Sequence, residues 1–158
     1  MVYPSLVRPG TFTTCLLASL LASCGTVDLG DNFVAPDLML DPDYFYCVVQ
    51  PQVLTAQRCA SGASGEMGQC HSARSSLRLS LAAETDTPPT CDGNVVTGTV
   101  PVSYEQNLEA VRFTVQSDPL SSPLYRRPIQ LDSHPRKIFD AASMEARILE
   151  QWIASGAP

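Results

Sequence analysis

The first 24 residues constrain this chain most, because they determine the compartment in which the rest must fold. Arg8 is the only charged residue among the first 23, and it precedes an apolar stretch from Thr11 to Leu21. That length suits the core of a secretory signal and is too short to span a bilayer. We therefore expect residues 1–23 to be a signal peptide and the remainder to be exported.

The end of this signal carries a pattern for lipid attachment. Its four residues are Leu21-Ala22-Ser23-Cys24, and they resemble the lipobox of bacterial lipoproteins. The resemblance implies that Cys24 is joined to a lipid and becomes the first residue, and that Gly25 after it favours the outer membrane over the inner one. Two or three acyl chains give stable anchoring. The alternative is an ordinary secretory signal that happens to end near a cysteine.

Residues 24–42 are expected to form an acidic linker between the lipid and the domain. They contain four aspartates and no basic residue, and Gly and Pro interrupt any helical period. From residue 24 onward the chain has sixteen carboxylates and nine basic side chains, a formal charge of −7. Nucleic acid is therefore not an expected partner, and an anionic lipid surface would repel the chain. Membrane attachment would come from the lipid itself.

Four cysteines follow: Cys47, Cys59, Cys70 and Cys91. An even number in an exported chain is usually paired in disulfides, and four allow three pairings between which the sequence does not choose. Cys70 is followed directly by His71. A c-type haem attachment motif reads C-x-x-C-H, whereas ten residues separate Cys59 from Cys70 here. Those ten are rich in Gly and Ser, so they could fold outward as an inserted segment.

The residues around these cysteines resemble a family of cytochrome-c-like domains over about residues 44–157. The family opens with an aromatic residue and a Val-x-Pro-Ile-Leu run before its first haem cysteine, and it closes with a helix ending in Trp-Ile-x-x-Gly-Ala. The matching segments are Phe45-Tyr46-Cys47, Val49-Gln50-Pro51-Gln52-Val53-Leu54, Leu77-Arg78-Leu79, Ser117-Asp118-Pro119, Ser122-Pro123-Leu124-Tyr125 and Trp152-Ile153-Ala154-Ser155-Gly156-Ala157. The resemblance implies a small, mainly helical cytochrome-c-like domain with long loops over residues 43–158.

The same resemblance implies a haem c site. Cys59 and Cys70 would form the two thioether links, and His71 would be one axial iron ligand. The family's second ligand often lies in a turn shortly before the last helix, which is the position of His134, although a lone histidine in a Pro-rich loop is as often a surface residue. In this form, Cys47 pairs with Cys91. The expected function is electron transfer to a partner protein, without enzymatic activity.

Other side chains compete for roles at this site. Met67, Met39 and Met144 are the remaining possible iron ligands. Met67 lies in the inserted segment and Met39 in the linker, while Met144 opens the last helix and is expected to pack against the core. Arg126 and Arg127 could neutralise haem propionates, although a solvated arginine pair is the commoner situation.

A second hypothesis is a relative that has kept the scaffold and lost haem. Cys59 and Cys70 would then form a disulfide closing the inserted segment, with Cys47–Cys91 as the second. The protein would be a structural or interaction module of the cell envelope. The ten intervening residues favour this hypothesis, because haem-attachment machinery reads closely spaced cysteines. Motifs of common hydrolases and of phosphate-binding loops are absent, and two histidines are few for a zinc site.

The periodicity of apolar residues predicts the helices. A C-terminal helix would bury Ile148, Leu149, Trp152 and Ile153 on one face. Ser143 could cap its start, and Gly156 follows its end, where a left-handed residue is expected. We further expect a first helix with Pro51 in its first turn, a helix ending near Arg112, and a short hairpin around Gly98.

Overall fold

The structure is a computed structural model that describes residues 38–62 and 70–156. The predicted signal peptide, the lipid-attachment residue Cys24 and the candidate ligand Met67 lie outside the described residues. The described part is small and mostly helical, with one short hairpin, which confirms the predicted mainly helical class. Among its helices, none combines the length and the apolar character needed to cross a membrane.

The first helix, α1, begins at Pro42–Tyr44 and continues as a wider, π-type helix over Phe45–Thr55. Asp41 caps it by accepting hydrogen bonds from the amides of Asp43 and Tyr44, at 2.9 and 3.2 Å. Pro51 lies inside this helix rather than in its first turn, so that expectation is wrong. A proline has no amide hydrogen to donate, and its ring crowds the carbonyl one turn earlier. The wider turns of the π-type helix accommodate both the missing hydrogen bond and the bulk of the ring.

Residues 38–42, which fall within the predicted linker, pack against the domain. Leu38 and Leu40 lie against the core. The amide of Met39 donates to the Gly156 carbonyl at 3.2 Å, and the indole Nε1 of Trp152 donates to the Asp41 carbonyl at 2.8 Å. The packed domain therefore extends several residues before residue 43.

The last helix, α4, spans Met144–Ser155, and Ser143 caps it by accepting from the Ala146 amide at 3.2 Å, as predicted. Gly156 follows it with φ −89°, so the predicted left-handed conformation is wrong. A Cβ at this position would lie 2.7 Å from Leu40 Cδ2. Glycine is therefore required here because the N-terminal segment passes close by.

Helices α1 and α4 pack against each other through large apolar side chains. The rings of Phe45 and Trp152 have centroids 5.2 Å apart, and both side chains are fully buried. The buried residues of α4 are Ala146, Ile148, Leu149, Trp152 and Ile153. This includes the four residues predicted for its apolar face. The contact between these two helices forms the centre of the core.

Along the chain between α1 and α4, a hairpin is followed by two further helices. Strands β1 (Cys91–Asp92) and β2 (Val95–Val96) are antiparallel, and Gly93 in their turn has φ +60°. The hairpin is thus centred on Gly93, not on Gly98 as predicted. Helix α2 spans Val102–Arg112 and ends where the periodicity predicted, and α3 is the single turn Pro123–Arg126.

A disulfide between Cys47 and Cys91 joins α1 to the hairpin. This is the pairing that both hypotheses predicted. A buried polar contact joins α1 to α2 as well, because Asn107 Nδ2 donates to Gln50 Oε1 at 2.9 Å. Both amide side chains are 1% exposed, so their mutual bond offsets the cost of burying them.

Candidate functional site

A cleft lies beside the α1–α4 core, and three of the predicted site residues line it. These are Cys59, His71 and His134. The other lining residues are Val53, Leu54, Leu77, Leu79, Thr114, Pro123, Leu124, Arg127, Pro128, Phe139 and Leu149. The cleft has a cavity volume of about 50 Å³. It is therefore a narrow, mostly apolar slot.

Backbone hydrogen bonds bring Cys59 next to His71. The amide of His71 donates to the Cys59 carbonyl at 3.2 Å, and the amide of Ser72 donates to the Ala60 carbonyl at 3.1 Å. The chain therefore leaves this point after Cys59 and returns to it at Cys70, which begins the short helical turn Cys70–Arg74. Ten intervening residues thus do not prevent Cys59 from lying beside the Cys70–His71 pair.

The carboxylate of Glu84 holds the backbone directly after Cys59, where the inserted segment begins. Its Oε1 accepts from the amides of Ala60 and Ser61, both at 2.9 Å, and its Oε2 accepts from the Ser61 hydroxyl at 2.6 Å. Glu84 ends the short 3₁₀ turn Leu81–Glu84, which follows the cleft-lining residue Leu79. Bonds to a charged acceptor are stronger than neutral ones, so this carboxylate fixes the start of the inserted segment.

The two histidine rings lie nearly parallel in the cleft. Their planes differ by 20° and their centroids are 6.1 Å apart, although the residues are distant in sequence. Two imidazoles on opposite sides of one metal ion have ring centres roughly 6 Å apart, because each metal–nitrogen bond is about 2 Å and the ring centre lies ~1 Å further back. The centroids of His71 and His134 are separated by about that distance, with the rings stacked.

The hydrogen bonds of His71 determine which of its nitrogens carries the proton. Its Nδ1 lies 2.6 Å from Ser75 Oγ, and the Ser75 hydroxyl donates to the Leu77 carbonyl, also at 2.6 Å. A serine hydroxyl has one proton. Because that proton is given to Leu77, Ser75 accepts from His71, and Nδ1 must carry the hydrogen. The lone pair of the neutral ring is then on Nε2.

The same tautomer holds for His134. Its Nδ1 lies 2.6 Å from the Arg136 carbonyl oxygen, which can only accept a hydrogen bond. Nδ1 of His134 therefore donates, and Nε2 carries the lone pair. Metal-bound histidines usually donate their second ring N–H to a carbonyl or carboxylate in this way. Both rings are thus prepared to coordinate through Nε2.

The surroundings of His71 favour its neutral form. Burial lowers the pKa of this imidazole, and the nearby His134 and Arg127 lower it further, while the nearby Leu77 carbonyl acts in the opposite direction. Burial disfavours the charged form of a histidine. A neutral imidazole is the form that binds a metal.

The thiol of Cys59 stays protonated at neutral pH. Burial raises its pKa to about 12, with the Glu84 carboxylate raising it further and Arg136 acting in the opposite direction. Cys59 and Cys70 are both half-buried. Their linkage to each other, or to a haem, stays a prediction.

The other candidate residues separate into those that line the cleft and those that do not. Arg127 lines it, whereas Arg126 is bound to Asp132 through two hydrogen bonds of 2.8 Å. Met39 is 83% exposed, and Met144 is 64% exposed. The prediction that Met144 packs against the core is therefore wrong, because its position in the first turn of α4 points to solvent.

The described residues at the cleft include two histidines but no protein metal site of three or more ligands. Within residues 38–62 and 70–156, no group of three or more His, Cys, Asp and Glu side chains is arranged to hold a metal ion. A haem iron needs only two axial ligands from the protein, since the macrocycle supplies the other four. His71 and His134 are the two cleft residues that would supply such ligands.

Two residues of this site were missed by sequence reasoning. Ser75 orients His71, and Glu84 holds the chain after Cys59. The four-residue spacing of His71 and Ser75 on a helical turn is a signal that could have identified the first. Glu84 has no comparable signal, because its partners lie more than twenty positions earlier in the chain. Comparisons of the chain with protein-family models, with curated proteins and with solved structures give no match.

Proposed function

We propose that this protein is a lipid-anchored haem c electron carrier of the bacterial cell envelope. The observation that carries the proposal is the pair of nearly parallel imidazoles, His71 and His134, with centroids 6.1 Å apart in an apolar cleft shared with Cys59. Helical periodicity does not bring these residues together. Their meeting in one slot, with matched tautomers, is what a two-histidine iron site needs.

The packing of the last helix on the first supports a cytochrome-c-like architecture. In that architecture the two terminal helices cross and the haem lies beside them. Here Phe45 of α1 contacts Trp152 of α4, and the neighbouring residues Val53 and Leu149 line the cleft. The resemblance of these segments to the cytochrome family agrees with their placement.

In the proposed complex, Cys59 and Cys70 would be the covalent attachment points, and His71 and His134 would hold the iron. A bound haem would supply one-electron redox chemistry. The protein orients both imidazoles, excludes water with Leu77, Leu79 and Phe139, and offers Arg127 to the propionate carboxylates.

Absorption and mass measurements test the haem. The full chain, purified from cells competent in cytochrome maturation, should show a Soret band that persists after acid-acetone extraction, together with the mass of a covalently bound haem. His134→Ala should convert a low-spin spectrum to a high-spin one, while Met144→Ala should leave it unchanged. A colourless protein would rule out the proposal.

The lipid anchor has a separate test. Cys24→Ser should abolish incorporation of labelled palmitate and release the protein from the membrane fraction, whereas Cys15→Ser, within the predicted signal core, should change neither. Fractionation of the inner and outer membranes tests the expected outer-membrane location. Palmitate incorporation into Cys24→Ser would contradict the assignment of the anchor.

One observation favours the haem-free module as a second candidate. The backbone bond from His71 to Cys59 brings the ends of the inserted segment together, which also suits a Cys59–Cys70 disulfide. Intact mass with and without reductant distinguishes the two candidates. Two disulfides and no haem would support the haem-free structural or interaction module.

A further inference from the structure

Ser75 occupies a position that neither the haem motif nor the helix pattern explains. It is half-buried at the end of the Cys70–Arg74 turn, between the imidazole of His71 and the carbonyl of Leu77. Both of its hydrogen bonds are 2.6 Å long. A serine in an ordinary exposed bend would form its hydrogen bonds with water instead of with two protein groups.

The segment that contains Ser75 closes on itself. The amide of Leu79 donates to the carbonyl of His71 at 2.9 Å, so the backbone of residues 71–79 forms a loop with the Ser75 hydroxyl inside it. Leu77 and Leu79 line the cleft together with His71. The serine therefore links the orientation of the imidazole to the position of the cleft wall.

We infer that Ser75 is a positioning residue that holds His71 in the Nδ1–H tautomer and makes its Nε2 a stronger iron ligand. This inference rests on the proposed function for its iron, while the tautomer itself belongs to the chain alone. The chain of bonds runs from His71 Nδ1–H to Ser75 Oγ, and from the Ser75 hydroxyl to the Leu77 carbonyl. Each bond polarises the next, and donation from Nδ1–H raises the basicity of the ring.

The arrangement differs between the two histidines. His134 donates directly to the Arg136 carbonyl, and a backbone carbonyl cannot be removed by changing a side chain. His71 donates to a hydroxyl, which substitution can remove. Ser75 is therefore a side chain that does not bind the iron itself but controls how strongly His71 binds it.

The tautomer is measured in the haem-free full chain by ¹⁵N NMR of the histidine rings. His71 should be mainly Nδ1–H in the wild type, and Ser75→Ala should lower the ratio of Nδ1–H to Nε2–H by roughly threefold to tenfold, the worth of one hydrogen bond. Ser75→Thr keeps the hydroxyl and should retain the ratio. Ser76→Ala, at the exposed neighbour, is the matched control.

The haem-loaded chain gives the second measurement. Ser75→Ala should raise the reduction potential relative to the wild type and Ser76→Ala, because a less basic ligand stabilises the oxidised iron less. Ser75→Thr should restore the wild-type potential. A purely structural role for Ser75 would affect stability without this pattern of loss and rescue.

Two results would overturn the inference. The tautomer ratio could be the same in Ser75→Ala and the wild type, which would mean that the Leu77 carbonyl alone suffices to hold His71. Alternatively, the potential of the haem-loaded chain could be unaffected by Ser75→Ala. A wild-type chain that takes up no haem refutes the proposed function instead, and the NMR comparison then still decides the role of Ser75 in setting the tautomer.

Discussion

The core side and the cleft side of this domain are each stabilised by a different kind of interaction. At the core side, α1 and α4 meet through buried apolar surfaces, with the Phe45–Trp152 contact at the centre and the Cys47–Cys91 disulfide nearby. At the cleft side, His71 and His134 come from short turns and loops that hydrogen bonds hold in place. Packed helices give a rigid scaffold, and loops placed on it can carry chemically active side chains. The two sides should therefore respond differently to mutation.

The largest expected effect is at the core side. Trp152→Ala removes the largest fully buried side chain and its hydrogen bond to Asp41, and should lower the free energy of unfolding by about 3–5 kcal/mol. That is a large part of the stability of a small domain. Urea denaturation measures the loss, with Arg147→Ala on the exposed face of the same helix as control. A loss no larger than the control's would show that the core is not centred here.

Removing the disulfide comes next. Replacing Cys47 and Cys91 by alanine together should cost about 2–4 kcal/mol, because the bond closes a long loop whose ends are 44 positions apart. Reductant should lower the stability of the wild type by a similar amount and leave the double variant unchanged. If reductant also destabilises the double variant, Cys59 and Cys70 are joined, which would favour the haem-free candidate.

At the cleft side, Glu84→Gln should have a smaller, local effect. The neutral amide loses the charge that strengthens bonds from Ala60 and Ser61, so the free energy of unfolding should fall by about 1–2 kcal/mol. Hydrogen exchange of those two amides should become faster, while exchange in α4 changes little. Glu109→Gln, at an exposed residue of α2, is the control. Uniformly faster exchange would mean that the two sides unfold together.

The smallest effect is expected for the exposed pair of Arg126 and Asp132. The hydrogen bonds from Arg126 lower the pKa of Asp132. The stabilisation is therefore present above the ordinary aspartate pKa and is lost as the pH falls through the lowered value. Unfolding of Asp132→Asn and wild type should differ slightly at pH 7 and converge in acid, with Asp92→Asn, at an exposed carboxylate of β1, as a control. A difference that grows in acid would contradict this assignment.

The sequence was informative where the pattern is local. The apolar spacing in α4 predicted its cap at Ser143 and its buried face, because residues three and four apart share one side of a helix. Pro51 was misleading for the same reason. Local rules place proline at a helix start, whereas here the surrounding packing stabilises a wider helix around it.

By itself, the sequence determined the helical class, the end of α2 near Arg112 and the apolar face of α4, since these follow from periods within single segments. Only the tertiary structure decided which residues meet. It placed His71 opposite His134, brought Glu84 to the chain after Cys59, and required glycine at position 156 beside Leu40. Such contacts depend on how distant segments pack in space, and the spacing of residues along the chain does not specify that packing.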